Sequence, residues 1–208
     1  MLKWLAGGLW LVLPLWCTGE PHFSIALYTQ FQHQPPAAVV HAIQDEVETI
    51  MAPMGASFEW RSLELVTGSE VSTQLAVVKF VGRCQSNGYD PQSPTGGALG
   101  WTHVSDGVIL PFSDIDCDGI RRFLQVGLMG IAGQNRDEAY GRAVGRVLAH
   151  ELYHIFANTA HHGSNGVGKG IYSVTDLLTR NFQFDERESD ALRSNKPPML
   201  DEVGDATR

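Results

Sequence analysis

Apolar residues recur along this chain with two periods, and the switches between them mark out the elements. From His22 to Thr29, Phe23, Ile25 and Leu27 alternate with smaller or polar residues, the two-residue period of a strand. Pro35 and Pro36 then open a helix, since proline is tolerated in a first helical turn. Val39, Val40, Ile43, Val47, Ile50 and Met51 fall at helical spacing, with Gln44, Asp45, Glu46 and Glu48 as the wet face. Pro53 and Gly55 end this helix. Phe58, Trp60 and Leu63 place a second strand in Ser57 to Leu65, and the β-branched run Leu75 to Val81 reads as a buried central strand. Asn87 to Gly97 is a loop, with Asn-Gly, Asp-Pro and Gly-Gly within a few residues.

The second half alternates in the same way. Ala98 to Val104 and Val108 to Phe112, joined across Asp106-Gly107, predict a hairpin. Ile120 to Met129 is a short helix. Asp137-Glu138 suit the positive start of the next one, and Gly141 and Gly145, four apart, let it lie close against the sheet. Ser173-x-x-Asp176 has capping-box spacing before Leu177-Leu178. A polar helix covers Asp185 to Arg193, stopped by Pro197-Pro198, with a frayed tail to Arg208. No repeat, low-complexity tract or interdomain linker interrupts the order.

The stretch that organises the rest runs from Val147 to Phe156 and contains H-E-x-x-H. Residues four apart on a helix stand on one face, so His150 and His154 can place two imidazole nitrogens on one Zn²⁺. Glu151 is then set to take a proton from a metal-bound water. The bare pattern is weak, but here Val147, Leu148, Leu152, Ile155 and Phe156 wrap the helix in apolar side chains and predict its burial. Unpartnered buried His and Glu side chains would each cost on the order of a few kcal/mol. The competing reading, histidines bonded to core carbonyls, leaves Glu151 without a role.

Composition adds constraints rather than a direction. The chain has 208 residues, 43% hydrophobic and 18% charged, which suits a single domain. A formal net charge of -8, without a run of Lys or Arg, argues against nucleic acid as a partner. Residues Met1 to Gly19 read as a signal peptide: Lys3, then an uncharged apolar run from Trp4 to Trp16, then small residues before Glu20. That run is shorter than the roughly 20 residues of a spanning helix and contains Pro14, so the mature domain, residues 20–208, is expected to be exported without a membrane span. Cys17 would leave with the signal. Cys84 and Cys117 remain, and two cysteines in an exported chain predict a disulfide.

A catalytic zinc takes three protein ligands and keeps one position open. His161 and His162 are the near candidates for the third. On an unbroken helix His161 would lie about two turns beyond His154, so the chain must leave the helix and fold back. Asn158 can adopt the left-handed conformation of such a reversal, and Gly163 and Gly166 keep the loop pliant. At this point the sequence resembles the metzincin zinc metallopeptidases, whose pattern is H-E-x-x-H-x-x-G-x-x-H. The order strand, long helix, mixed strands, zinc helix is similar too, over Glu20 to Gly166. Ala157 stands where that family has its turning glycine, and Ala160 where it has the third histidine. No Met-turn methionine is evident, Met199 being the only methionine downstream. We favour His162 as the slipped ligand because Gly163 follows it directly, with His161 as the alternative. A gluzincin-like set would instead use Glu186 or Glu188, which otherwise read as a solvated helix face.

The resemblance implies an α+β, zincin-like fold, with a mixed twisted sheet, a long N-terminal helix and a zinc-binding active-site helix. It implies a zinc-dependent endopeptidase, acting on a peptide or protein substrate with Glu151 as base. It also implies that substrate pairs with an edge strand near Leu99, Gly100 and Trp101. Tyr153 and Tyr172 can donate to an oxyanion, though packing is their ordinary use. His22, His33, His41 and His103 have no metal-ligand spacing, and the strand of His103 is placed to border the cleft. The reading from another class is an exported non-enzymatic module that keeps a structural zinc or binds peptides. An intact Glu151 argues against it, since a structural zinc needs no base.

Overall fold

The computed structural model describes residues 23–88 and 97–195. The expected signal segment Met1 to Gly19, most of the loop from Asn87 to Gly97, and the tail with Pro197, Pro198 and Met199 lie outside them. Strand β1 (Phe23–His33) is followed by α1 (Ala37–Met51), β2 (Ala56–Ser62), β3 (Gln74–Arg83), β4 (Gly100–Ser105) and β5 (Val108–Asp116). The chain then turns helical, through α2 (Cys117–Met129), α3 (Gly133–Phe156), α4 (Val174–Leu178) and α5 (Glu186–Ser194). The strands form one five-stranded sheet in the order β2-β1-β3-β5-β4. It is mixed: β1 is parallel to β2 and β3, β3 is parallel to β5, and β4 alone is antiparallel, on β5.

The α+β class and the mixed sheet are as the resemblance implies, and the long N-terminal helix and the helix bearing His150 and His154 are as the pattern of the chain predicts. Gly55 ends the first helical stretch in a left-handed conformation, φ 68°. Asp106 and Gly107, with φ 51° and 79°, make the hairpin turn, the sign of φ that a two-residue loop requires. Ser173 caps α4 and Asp185 caps α5, each in a reciprocal capping box.

Several details differ. Strand β3 is central, yet only one face is buried: Ala76, Val78 and Phe80 are covered, while Leu75 and Val81 are each 38% exposed. The helices occupy one side of the sheet, so β-branched content was a better sign of strand than of two-sided burial. Helix α3 starts at Gly133, which places Asp137 and Glu138 in its second turn. Gly141 and Gly145 serve the approach of α1, not of the sheet. A Cβ at Gly141 would lie 2.7 Å from the Val39 carbonyl oxygen, and one at Gly145 would lie 2.9 Å from that of Ile43.

Glu46 also leaves the wet face. It accepts from Arg146 Nε at 2.6 Å. Arg146, 1% exposed, further donates to the Asp176 carbonyl at 3.0 Å and stacks over the Phe182 ring at 4.9 Å. One turn before His150, this guanidinium ties α3 to α1 and to the segment that follows the histidine loop. Cys84 and Cys117 are disulfide-bonded, with Cα atoms 4.8 Å apart, joining the end of β3 to the start of α2. No helix among the described residues is long and apolar enough to cross a membrane.

Candidate metal centre

Helix α3 is buried along most of its length and carries His150, Glu151 and His154, 7%, 5% and 8% exposed, towards a cleft under β4. Its end is built by local rules. Ala157 caps the helix, Asn158 takes a left-handed φ of 47°, and the Thr159 N–H donates to the His154 carbonyl at 3.1 Å. The chain folds back, and His162 reaches the two helical histidines. One ligand atom from each of His150, His154 and His162 lies within 4.8 Å of the others. The His162 ring stacks on that of His150 (centroids 5.1 Å apart) and meets His154 edge-on at 4.9 Å. Gly170 leaves room for it, since a Cβ there would sit 3.1 Å from His162 Cγ.

Hydrogen bonds fix the tautomers of the helical pair. His150 Nδ1 lies 2.7 Å from the Val167 carbonyl oxygen, and His154 Nδ1 lies 2.7 Å from that of Thr159. A carbonyl only accepts, so both Nδ1 atoms carry the proton. Burial lowers the pKa of both rings, that of His150 to about 4, which keeps them neutral. Both Nε2 atoms are therefore bare, and they face each other at 3.0 Å. Two lone pairs at that distance make no hydrogen bond. They suit a shared cation: ligands about 2.0–2.1 Å from a tetrahedral zinc are themselves about 3.4 Å apart. Carbonyl bonding and metal binding, which compete in the sequence, are thus compatible. One ring nitrogen serves the carbonyl and the other stays free, as at metal sites generally.

Glu151 faces β4. Its Oε2 accepts from Thr102 Oγ1 at 2.8 Å, and Thr102 Oγ1 is 3.0 Å from Ser113 Oγ. Thr102 has a single proton, so with that proton on Glu151, Ser113 donates to Thr102. Burial raises the Glu151 carboxyl to about 7, against the opposing pull of the Thr102 hydroxyl. Gly100 permits the approach, since a Cβ there would lie 3.0 Å from Glu151 Oε1 and 2.9 Å from Val147 Cγ1. The cleft, about 510 Å³, is lined by Leu99, Gly100, Trp101 and Thr102 of the edge strand side, the three histidines, Glu151 and Tyr172.

The remaining candidates fall elsewhere. His161 is exposed, and its backbone N–H donates to Thr159 Oγ1 at 3.0 Å. Glu186 is exposed, whereas Glu188 is buried beneath the histidine loop and stands outside the three-residue cluster, which corrects its reading as a solvated face. His103 turns away from the cleft and pairs with Asp114 at 2.5 Å. The Tyr172 hydroxyl donates to the Val167 carbonyl, and Tyr153 packs against Phe184. Sequence reasoning missed Thr102, Arg146 and the two carbonyls that hold the histidines, and it placed Gly100 on the edge strand without its contact with Glu151. For Arg146 a signal existed, a cation inside an otherwise apolar helical run. For a threonine in a strand there was none.

No protein-family model and no curated protein matches the chain. Among solved structures it is similar to archaemetzincin from Methanopyrus kandleri, at 14% identity and a TM-score of 0.48, over 84% of this chain and 95% of that one.

Proposed function

We propose that this protein is an exported zinc-dependent metalloendopeptidase of zincin-like fold, with His150, His154 and His162 as metal ligands and Glu151 as general base. The observation that supports it best is the pair of bare, buried Nε2 atoms at 3.0 Å, beside a buried carboxylate in an open cleft. Zinc, when bound, supplies Lewis acidity to a peptide carbonyl and makes a water that it holds more acidic. Glu151 takes a proton at a carboxylate oxygen and gives it to the departing amine. Thr102 and the backbone at Gly100 hold that carboxylate against β4. The outer edge of β4 at Gly100 and Trp101, with Leu99 just before it, offers backbone groups to an extended peptide. The Cys84–Cys117 disulfide fits export, in line with the signal read in residues 1–19.

The test is metal content together with hydrolysis. Purified protein is expected to hold a single zinc and to cleave members of a broad peptide library, with both properties lost to a chelator. Glu151→Gln is expected to keep zinc and fold while losing about 10²–10⁴-fold in rate, the usual worth of a general base. Native-rate cleavage by that variant would remove Glu151 from its role. Zinc retention with no cleavage by the unmutated protein would favour the peptide-binding module instead.

A further inference from the structure

Helix α5 packs behind the histidine loop, and its one buried acid has no part in the centre as described. Glu188 is 3% exposed. Its Oε2 accepts from the Asp185 N–H at 3.0 Å, which closes the capping box of its own helix. Its Oε1 is buried and makes no well-formed hydrogen bond among the described residues, although the Gly168 N–H approaches the carboxylate. A buried carboxylate oxygen without a well-formed partner costs stability, so a position that keeps one needs a reason.

Its neighbours suggest the reason. Oε1 is wedged between Gly163 and Gly168, where a Cβ on either would overlap it. Neither glycine has a left-handed φ, so these positions need glycine for room rather than for backbone freedom. The two form the base of the loop, the Gly163 N–H donating to the Gly168 carbonyl at 2.7 Å. His162 directly precedes Gly163. Val167, whose carbonyl holds His150, directly precedes Gly168. Beyond the last turn of α5, Asn195 Nδ2 donates to the Phe156 carbonyl at 2.7 Å, where α3 gives way to the loop. The region of α5 therefore grips the reversal at both of its ends.

We propose that Glu188 is a positioning residue for the metal centre. Its carboxylate sets the base of the Gly163–Gly168 loop, and so places both the His162 side chain and the Val167 carbonyl that orients His150. The inference rests on the zinc reading above, deepened by a residue that does not touch the metal.

The test is zinc affinity, measured by chelator competition well below the unfolding temperature, with the Tm of each metal-free variant recorded beside it. Glu188→Ala is expected to bind zinc about 10–100-fold more weakly, the usual cost of losing a partner outside the ligand shell. Leu192→Ala, which truncates an equally buried apolar residue of the same helix, is expected to lower Tm and leave the affinity unchanged. Gly168→Ala is expected to weaken zinc binding as Glu188→Ala does, because its methyl group must displace the carboxylate. In the double variant the second loss is expected to be largely relieved. If Glu188→Ala does not fold, Gly168→Ala carries the test alone. Glu188→Ala or Gly168→Ala at the unmutated affinity overturns the proposal, as does an affinity loss in Leu192→Ala equal to that in Glu188→Ala. A complete loss in Glu188→Ala, matching His162→Ala, overturns it by making Glu188 a ligand. Unmutated protein that binds no zinc defeats the zinc reading itself, and that result precedes any variant.

Discussion

At the scale of single residues, the site turns on which imidazole nitrogen is free. The carbonyls of Val167 and Thr159 take the Nδ1 protons of His150 and His154 and leave Nε2 of each exposed to the other. His162 joins them from the loop, exposed where the helical pair is buried. His161, its neighbour, points elsewhere. His162→Ala is therefore expected to weaken zinc binding by more than the roughly 10–100-fold that loss of an outer partner costs. His161→Ala is expected to leave the affinity unchanged. Chelator competition separates the two, and the reverse order would hand the role to His161.

At the scale of elements, the centre depends on how α3 is seated. Arg146 Nε and Glu46 Oε1, 2.6 Å apart, have side chains only 2% and 13% exposed. Removing one partner of such a pair strands the other, and Arg146→Ala also frees the Asp176 carbonyl and the Phe182 ring. We expect a loss of about 3–5 kcal/mol, read as a lower urea midpoint at unchanged slope. Replacing both partners by methionine is expected to recover much of it, because the cost lies chiefly in the uncompensated charge. The same pair shows what the sequence conveys and what it omits. Periodicity identifies which face of a helix is apolar, and so it placed α1, α3 and the histidines. It does not say what that face meets. Periodicity sends Gly141 and Gly145 to the sheet and Glu46 and Glu188 to solvent, because what each meets lies outside its own element, Arg146 at a separation of 100 residues from Glu46. The return of His162 was legible because its causes are local: a helix end, Asn158 and a following glycine.

At the scale of the whole molecule, the Cys84–Cys117 bond closes a stretch with a sequence separation of 33 and anchors the junction between β5 and α2. There the Asp116 N–H donates to the Leu99 carbonyl at 2.9 Å and holds the approach to the edge strand. A loop of that size corresponds to about 3–4 kcal/mol of lost freedom in the unfolded chain. The double variant Cys84→Ala/Cys117→Ala is expected to unfold at lower denaturant by that amount; an unchanged midpoint would remove the bond from the stability of the domain. The helix-end reversal carries a consequence of another kind, for the order of assembly. The three histidines and both carbonyls that hold them lie between positions 150 and 167, whereas the Thr102 hydroxyl on Glu151 comes from 49 residues away. Short closures are entropically inexpensive and fast, and distant strand pairings are slow. The histidine cluster can thus take shape while the sheet is still forming, and the grip on Glu151 arrives only when β4 docks. On the proposed zinc peptidase reading, loading with metal would then precede readiness to hydrolyse, and the later event would coincide with completion of the fold.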